Sequence, residues 1–396
     1  MLNVEVVTIV AGGAPYDEWE RMTVTAALND ATRTFTIETT ERPGSFRFPP
    51  GTPVQIRANG DLLVDGYVNA YEASGDAKSH KISIKGRSKG QDFVDSSAEH
   101  KKGNWKNKTP EDVAKELNKW PIQVKAEVKL DPVDYIHLKQ GESPFQLVER
   151  YLRPEGVSMM GEPNGDILLT NAEAAKATGV LLMEGVNIKD WKVSLTDGSR
   201  HSSYTVKGQR RRGTGKGNLR VRRTSRDSGV RRHRPKIMAN ETDTDDKRAG
   251  KRARHEKERR AGKSVQATIK TQGFRDDRGR LFGPNRLVFV WSPVLMHLAQ
   301  TMLIERVEFT QDNGGGKGGR GGGGGGSGGS GGGHGGGGNG SGGSIVSLTL
   351  VDPRAYKGKG GGKGGSGGAG SAPGAPATGE ESHPAWTDGY DGDADI

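Results

Sequence analysis

The chain has 396 residues, of which 31% are hydrophobic, and it contains 63 glycines and no cysteine. The absence of cysteine excludes disulfide bonds, thiolate metal sites and a cysteine nucleophile. The formal net charge is +11, but Lys207 to Lys263 holds 22 basic and 7 acidic residues, whereas the rest of the chain holds 37 basic and 41 acidic residues. The basic character therefore belongs to one segment.

Residues 1–90 show the alternation and turn signals of antiparallel β structure. Two candidate strands, Val54–Ala58 and Leu62–Tyr67, flank Asn59 and Gly60. That dipeptide favours a tight hairpin because both residue types tolerate positive φ. Short strands separated by such turns predict a first domain built as a small β-barrel or sandwich.

Residues 91–181 change character and predict an α+β domain. Thr109 and Ser143 are each followed by proline, and a hydroxyl N-cap before a proline at the first helical position marks a helix start. Pro163–Asp166 is a turn between two short apolar runs, which predicts a hairpin.

Strand patterns resume at 182–210 and again within 262–352, and together they predict a second β-barrel-like domain. The clearest strands after the basic segment are Val265–Thr271, Leu287–Trp291, Leu303–Phe309 and Ile345–Val351. Residues 211–261 interrupt this domain as a basic arm. Near its end, residues 243–262 have helix-forming composition but almost no apolar face, so we expect a helix that is solvated or packs on a partner.

Two low-complexity tracts accompany these domains. Residues 313–343 hold 23 glycines in 31 positions and lie between two predicted strands, so we interpret them as a long hairpin loop. Residues 357–396 are rich in Gly, Ser and Pro and end in acidic residues, which predicts a disordered tail.

No enzyme template fits the sequence. The nine histidines do not pair at metal-ligand spacing, no HExxH occurs, and neither Ser96-Ser97 nor Ser202-Ser203 lies in a GxSxG elbow. The glycine tracts match a dinucleotide-binding pattern only trivially, because strands are predicted on both sides of the long tract where a βαβ unit would be needed. No apolar run of about 18 residues is present. We therefore expect no catalytic residue, no metal or cofactor site and no membrane-spanning segment.

The basic arm and the strand before it contain the candidate partner-binding residues. These are Arg210, Arg211, Arg212, Arg222, Arg223, Arg231 and Arg232. Clustered arginines suit phosphates or carboxylates. The segment has almost no aromatic residues to stack on bases, and it has no zinc-finger or recognition-helix pattern. A charged loop, an acidic protein partner and a nucleic acid all remain open as interpretations.

Four strings, in order along the chain, carry a family resemblance. They are GRS…DFVDSSA ending at Ala98, SRHSSYTVKGQ ending at Gln209, GFR…GRLFGPN ending at Asn285, and LIERVEF followed by VSLTLVDP ending at Pro353. In these strings the chain resembles the baseplate hub proteins of Mu-type contractile-tailed phages. That family is also related to the phage T4 hub and to the hub part of contractile injection system spike proteins.

The resemblance runs over residues 1–356. The residues at the family's signature positions are Asp92, Val94, Asp95, Tyr204, Gly208, Gln209, Gly273, Gly279, Leu281, Phe282, Pro284, Asn285, Asp352 and Pro353. The departures are Phe274 and Phe282, where the family usually has Trp, and the glycine tract inserted in the last hairpin. Both Phe residues keep a large apolar ring, so these two differences leave the resemblance intact. The glycine tract bears only on what the tip of the last hairpin contacts.

The resemblance implies a mainly β fold with an α+β insertion, in which two related antiparallel β-barrel-like domains per chain form a trimeric pseudo-sixfold ring. It implies a structural baseplate hub, without enzyme activity, that joins the hexameric tail tube to the trimeric central spike and lines the DNA ejection channel. The implied partners are two further copies of the chain, the tail tube or a tube-initiator protein, the central spike protein, neighbouring wedge proteins and DNA in transit. The implied location is the tail baseplate of the virion, after assembly in the host cytoplasm.

Other interpretations stay open beside this one. The hub component of a bacterial contractile injection system shares the architecture, a nucleic-acid-binding protein would use residues 207–263, and a cell-wall hydrolase would need to turn over peptidoglycan. For the basic arm we predict an orientation away from the channel and a contact that clasps an adjacent baseplate protein, a tube ring or a neighbouring hub subunit.

Overall fold

The structure is a computed structural model that describes residues 5–40, 48–76, 80–210, 214–215, 219–240, 244–292, 298–313 and 343–357. The strands, β1 to β21 in chain order, are Val7–Ala11, Ala14–Tyr16, Arg21–Ala27, Thr34–Thr39, Pro53–Ala58, Asp61–Gly75, His80–Ser88, Asn104–Lys108, Val124–Ala126, Val133–His137, Ser158–Gly161, Ile167–Thr170, Lys176–Met183, Ile188–Leu195, Ser203–Gly208, Val221–Arg226, Pro235–Ala239, Val265–Gln272, Arg286–Ser292, Leu298–Asp312 and Ser344–Val351. The helices, α1 to α4, are Gln91–Asp95, Pro110–Leu117, Pro144–Leu152 and Asp246–Gly262.

Some predictions fall outside the described residues. The glycine-rich loop at 313–343 lies outside them except for its two end residues, and the tail at 357–396 lies outside them after Lys357. Arg211 and Arg212 also lie outside them.

The fold is mainly β with an α+β insertion, as predicted. Thirteen strands form one sheet, with the order β14-β18-β21-β20-β3-β4-β7-β6-β5-β1-β2, and β13 joins it through β19, which pairs with β20. We call β1 to β7 the first β region, and β13, β14 and β18 to β21 the second β region. That the two regions are related folds stays a prediction, and so do the domain boundaries given above, apart from the strand Ser203–Gly208 described below.

The long strand β20 joins the two β regions. Its first part, Leu298–Leu303, pairs with β19, and its last part, Arg306–Asp312, pairs antiparallel with β3. The register of β20 against β21 shifts between Ile304 and Arg306, which is where β20 changes from one neighbour to the other. A bulge bends a strand and increases its local twist, which allows one strand to serve both regions.

One continuous apolar core lies behind this sheet. Side chains from the first region, such as Val24 and Ile84, belong to the same buried cluster as Val288 and Leu348 of the second. The strands alternate apolar and polar residues, and the apolar residues of both regions therefore face one shared interior. At the predicted hairpin, Ala58 pairs with Asp61 across a two-residue turn in which both residues have positive φ.

The insertion contains α1 to α3 and two small sheets, β10-β8 and β11-β12-β9. Helices α2 and α3 begin where the sequence predicted them. Thr109 and Ser143 each accept a hydrogen bond from the backbone of the third helical residue, and the side chain of that residue bonds back to the cap. These reciprocal bonds satisfy two otherwise unpaired backbone donors at each helix start. The hairpin around Pro163–Asp166 also forms, between β11 and β12.

The strand Ser203–Gly208 is not part of the second β region, contrary to the prediction. It is the central strand of a separate three-stranded sheet, antiparallel to β16 and parallel to β17. These three strands and α4 form a folded unit, which we call the basic unit. The described residues of the predicted basic arm therefore form mainly two strands and a helix.

Helix α4 packs on its own chain, whereas the sequence predicted a helix that is solvated or packs on a partner; the alanine face of the helix is buried within the chain itself. Ala249 and Ala253 are buried against Val206 and Val221 of the small sheet. Alanine gives little signal in a hydrophobic pattern, yet its small side chain lets a helix approach a sheet closely. That is why the buried face of this helix was not visible in the sequence.

Candidate functional site

The first candidate site is the junction between the two β regions, where Arg275 is the central residue. Its guanidinium donates to Glu5 at 3.1 Å, to Asp61 at 2.6 Å and to the carbonyl of Ala58 at 2.8 Å. Glu5 is 1% exposed, so this pair is largely removed from water. Burial lowers the pKa of Arg275, but the hydrogen bond to Asp61 and the charge of Glu5 outweigh it and raise the pKa.

Arg33 forms a second junction, between the first β region and the insertion. Its side chain donates to the carbonyls of Gly161 at 3.1 Å and Leu63 at 2.9 Å. Burial lowers its pKa to about 10, and the nearby charge of Glu162 opposes that shift. No pattern in the sequence predicted a role for Arg33 or Arg275. The only available signals were the position of Arg33 in an alternating strand and that of Arg275 inside the GFR string.

The first matching string fixes the exit from the first β region. In α1, Phe93 is fully buried and meets Trp120 edge-on, with ring centroids 6.0 Å apart. Asp95 is exposed and pairs with Arg87 at the end of β7. Val94 packs partly buried on the core of the insertion, and Asp92 is half-buried and accepts the backbone hydrogen bond of Ser96. These residues hold the short helix against the first β region and against the insertion.

The third string folds into a compact turn after β18. Gly273 and Gly279 have positive φ, which suits glycine. The backbone of Phe282 donates to Phe274 at 2.9 Å, and the ring of Phe274 meets Phe309 at a centroid distance of 5.1 Å. Leu281 forms an isolated bridge with Arg275. The turn therefore presents Arg275 to the first β region.

Pro284 and Asn285 close this turn and are both buried. Asn285 has φ 56°, and its side-chain amide donates to Thr170 at 2.8 Å and to the carbonyl of Asn171 at 3.1 Å. Its backbone N–H donates to Ile304 at 2.9 Å. Asn285 thus ties the second β region to the end of the insertion.

Asp352 and Pro353 begin a 3-10 helix, Pro353–Tyr356, at the end of the described chain. The Asp352 side chain accepts from the backbone of Arg354 at 2.8 Å. Tyr356 hydrogen-bonds Glu305 at the β20 bulge, and burial raises the pKa of its hydroxyl. Its carbonyl accepts from Ala172 at 2.9 Å, so this helix links the insertion and the second β region.

Tyr204, Gly208 and Gln209 organise the basic unit. Tyr204 is fully buried, and its hydroxyl accepts from the backbone of His201 at 2.9 Å. A Cβ on Gly208 would overlap the side chain of Thr244, and the carbonyl of Gln209 accepts from Thr244 at 3.1 Å, while the Gln209 side chain is exposed. These residues therefore shape the connection into α4.

The structure does not bring the five described candidate arginines together into one patch. Arg210 is half-buried and pairs with Asp134 of the insertion, and Arg223 faces α4 and pairs with Asp246 at 2.7 Å. Arg232 is exposed and pairs with Asp197, and Arg231 is exposed. Arg222 is exposed on the side of the small sheet that faces away from α4. Of the five that are described, three are therefore engaged in ion pairs.

Within the described ranges, no group of three or more His, Asp or Glu side chains has the arrangement of a metal site. No helix in those ranges is long and apolar enough to span a membrane. A cleft of about 570 Å³ lies between the insertion and both β regions, and its lining is partly apolar and partly charged, with Arg33, Glu162 and Arg286 among the charged residues. Burial raises the pKa of Glu162 despite the opposing charge of Arg33.

Two protein families and one phage protein are similar in sequence to this chain. The family "Mu phage baseplate assembly protein GpP-like, N-terminal" matches residues 6–88, and "Baseplate hub protein gp44-like, second domain" matches residues 90–171. Baseplate hub protein gp44 of Escherichia phage Mu is 26% identical over 326 residues, which cover 78% of this chain and 85% of that protein. The chain resembles the baseplate hub proteins of Mu-like phages.

Solved structures agree with this resemblance to Mu-like hub proteins. The 43 kDa tail protein of prophage MuSo2 from Shewanella oneidensis is 26% identical, with a TM-score of 0.74 over 89% of this chain and 100% of that one. A tail protein from Neisseria meningitidis MC58 shares the fold, with a TM-score of 0.69 at 19% identity over 89% of this chain and 100% of that one.

Proposed function

We propose that this chain is the structural hub at the centre of a phage contractile-tail baseplate. Three copies form a ring that joins the hexameric tail tube to the trimeric central spike and lines the channel through which DNA leaves. The chain acts without a catalytic residue or a cofactor. Its location is the virion tail, after assembly in the host cytoplasm.

The observation that carries this proposal is the extent of the similarity to the Mu hub. It covers 78% of this chain and 85% of that protein, so it includes much more than one shared module. The family matches cover the first β region and most of the insertion. The MuSo2 tail protein extends the likeness over 89% of the chain.

The junctions described above supply a physical reason for the role. Three chains can present six similar units only if the two units of each chain are held at a fixed angle, one sixth of a turn apart. The pairing of β3 with β20 and the buried contacts of Arg275 join the two β regions into one body. Closing such units into a ring also protects sheet edges that would otherwise promote aggregation.

The proposed partners follow from this position. They are two further copies of the chain, the tail tube or a tube-initiator protein above, the central spike protein below and neighbouring wedge proteins at the side. DNA is a partner only in transit. A closed cyclic trimer requires a single type of heterologous interface, which lies between one chain and the next.

Oligomeric state tests the proposal in solution. Sedimentation velocity of the full chain at micromolar concentration should show a trimer, alone or with monomer, and averaged electron micrographs should show a threefold ring with six lobes. Dimers or hexamers without trimers would contradict the proposed ring.

The same architecture serves hubs of contractile injection systems, so the neighbouring genes distinguish a phage tail from an injection system. Capsid and terminase genes indicate a phage, and effector genes without a capsid indicate an injection device.

A further inference from the structure

The basic unit has one sheet face against α4 and one face towards solvent. Strand register places nine residues on the second face, which we call the outer face, in three rows: Arg226, Ser203 and Pro235; Thr224, Thr205 and Ile237; Arg222, Lys207 and Ala239. Thr205 lies low at the centre, where its hydroxyl bonds that of Thr224 at 2.8 Å. Ile237 is 61% exposed. The outer face is therefore an accessible surface.

Positive charge covers one side of the outer face. Lys207, Arg222 and Arg226 are all exposed, and the three strands contain no acidic residue. None of these three side chains forms an ion pair with a described residue. Lys207 and Arg222 lie directly opposite each other on antiparallel strands. Like charges in that position destabilise a sheet, and a bound anion between them would relieve the repulsion.

The other side of the outer face is apolar. Along β17 it presents Pro235, Ile237 and Ala239, all exposed. A nucleic-acid backbone offers phosphates for the basic side but no apolar group to cover Ile237. The outer face also carries no aromatic side chain on which a base would stack. A polypeptide with both acidic and apolar side chains matches the two sides together.

We propose that the outer face is a docking surface for an acidic polypeptide segment that carries apolar side chains. The sequence alone had left acidic protein and nucleic acid open across a wide run of arginines. The structure narrows the surface to Lys207, Arg222 and Arg226 beside Ile237. Arg210, Arg223 and Arg232 are engaged in ion pairs within the chain, and Arg231 lies outside the three strands. This inference concerns the chemistry of the ligand and goes beyond the hub role.

Fluorescence anisotropy with the full chain tests the proposal. The probe is a labelled peptide in which glutamate alternates with isoleucine and tyrosine, and a labelled DNA duplex of similar length is titrated in parallel. The double variant Lys207→Glu with Arg222→Glu should weaken peptide binding by about tenfold or more. Ile237→Thr, which keeps the β-branched shape, should weaken peptide binding about fivefold and leave DNA binding unchanged.

The matched control is Lys189→Glu with Lys192→Glu, which makes the same change of charge at two exposed positions of β14. It should change peptide affinity by less than about twofold. Circular dichroism and thermal unfolding check that each variant folds. Absence of peptide binding at about 100 μM would overturn the proposal. So would equal affinity of the double variant and the unsubstituted chain. Tighter binding of the duplex, with Ile237→Thr without effect on the peptide, would assign the face to nucleic acid instead.

Discussion

The guanidinium of Arg275 lies 3.1 Å from a carboxylate oxygen of Glu5, although 270 positions separate the two residues in the chain. Glu5 precedes the first strand, and Arg275 follows β18 in the second β region. The contact therefore connects the start of the first β region to a turn of the second. Gln311 of β20 donates to the carbonyl of the same glutamate at 2.8 Å, so the junction is also tied to the strand that both regions share.

Arg275→Met should lower the free energy of unfolding by about 3–5 kcal/mol, because it leaves the buried Glu5 carboxylate without its cationic partner. Adding Glu5→Gln to this variant should recover part of the loss, since it removes the unpaired charge. Urea unfolding of Arg275→Met, of the double variant and of the unsubstituted chain measures both effects. Arg278→Met, at an exposed position in the same turn, is the control and should change stability by less than about 0.5 kcal/mol. Equal losses in the two arginine variants would contradict the assigned role of Arg275.

Arg33→Met should also destabilise the chain, by about 2–4 kcal/mol, because the carbonyls of Gly161 and Leu63 lose their donor. Limited proteolysis should then show faster cleavage within the insertion, which Arg33 holds against the first β region. Arg21→Met serves as the control, since the Arg21 pair with Asp312 is exposed and should contribute less than about 1 kcal/mol. If proteolysis of the insertion is the same in both variants, Arg33 does not hold that junction.

Ala253→Leu should loosen α4 from the small sheet. Ala253 is 1% exposed beside Val206 and Val221, so the larger side chain has no space and should cost about 1–3 kcal/mol. Amide hydrogen exchange should rise in α4 and β15 while β20 stays protected. Arg254→Leu, one residue along and exposed, is the matched variant and should leave exchange unchanged. Faster exchange throughout the large sheet would show that the basic unit is not a separate packing unit.

His255 of α4 should make the stability of the chain depend on pH. Burial lowers the pKa of this imidazole from 6.5 to about 4, and its Nδ1 has no hydrogen-bond partner among the described residues. Between these two pKa values the unfolded state binds more protons than the folded state. Stability is therefore fully present above about pH 6.5 and is lost as the pH falls towards 4.

The variant His255→Gln isolates this contribution, because the other titrating groups stay the same. The stability of the unsubstituted chain should fall relative to the variant by about 2–3 kcal/mol between pH 7 and pH 4.5. Chemical unfolding at several pH values measures the difference. A constant difference over that range would mean that the imidazole is not buried in its neutral form.

Local signals made part of this fold predictable. Thr109 and Ser143 stand directly before prolines, and the cap bonds that they make involve residues three positions away. The turn at Asn59 and Gly60 is equally local, because both residue types accept the positive φ that a two-residue hairpin requires. Such features depend little on the rest of the chain.

The junctions were not predictable in the same way. Arg33 and Arg275 are charged residues whose burial results from the docking of distant segments, and no local pattern distinguishes them from exposed arginines. The basic unit was hidden because its strands are rich in charged and hydroxyl residues and its helix buries alanines. The pairing of β3 with β20 joins residues nearly 300 positions apart, as in the bond between Arg21 and Asp312, and depends on the whole fold.

Reconstruction of the assembled tail by electron cryomicroscopy tests the proposed function most directly. If the chain is the hub, three copies of it should form a ring between the last tube ring and the central spike. The two β regions of each copy should occupy successive sixths of that ring around the channel. Density for the chain at the periphery of the baseplate, or six copies of it around the axis, would show that the chain is not this hub.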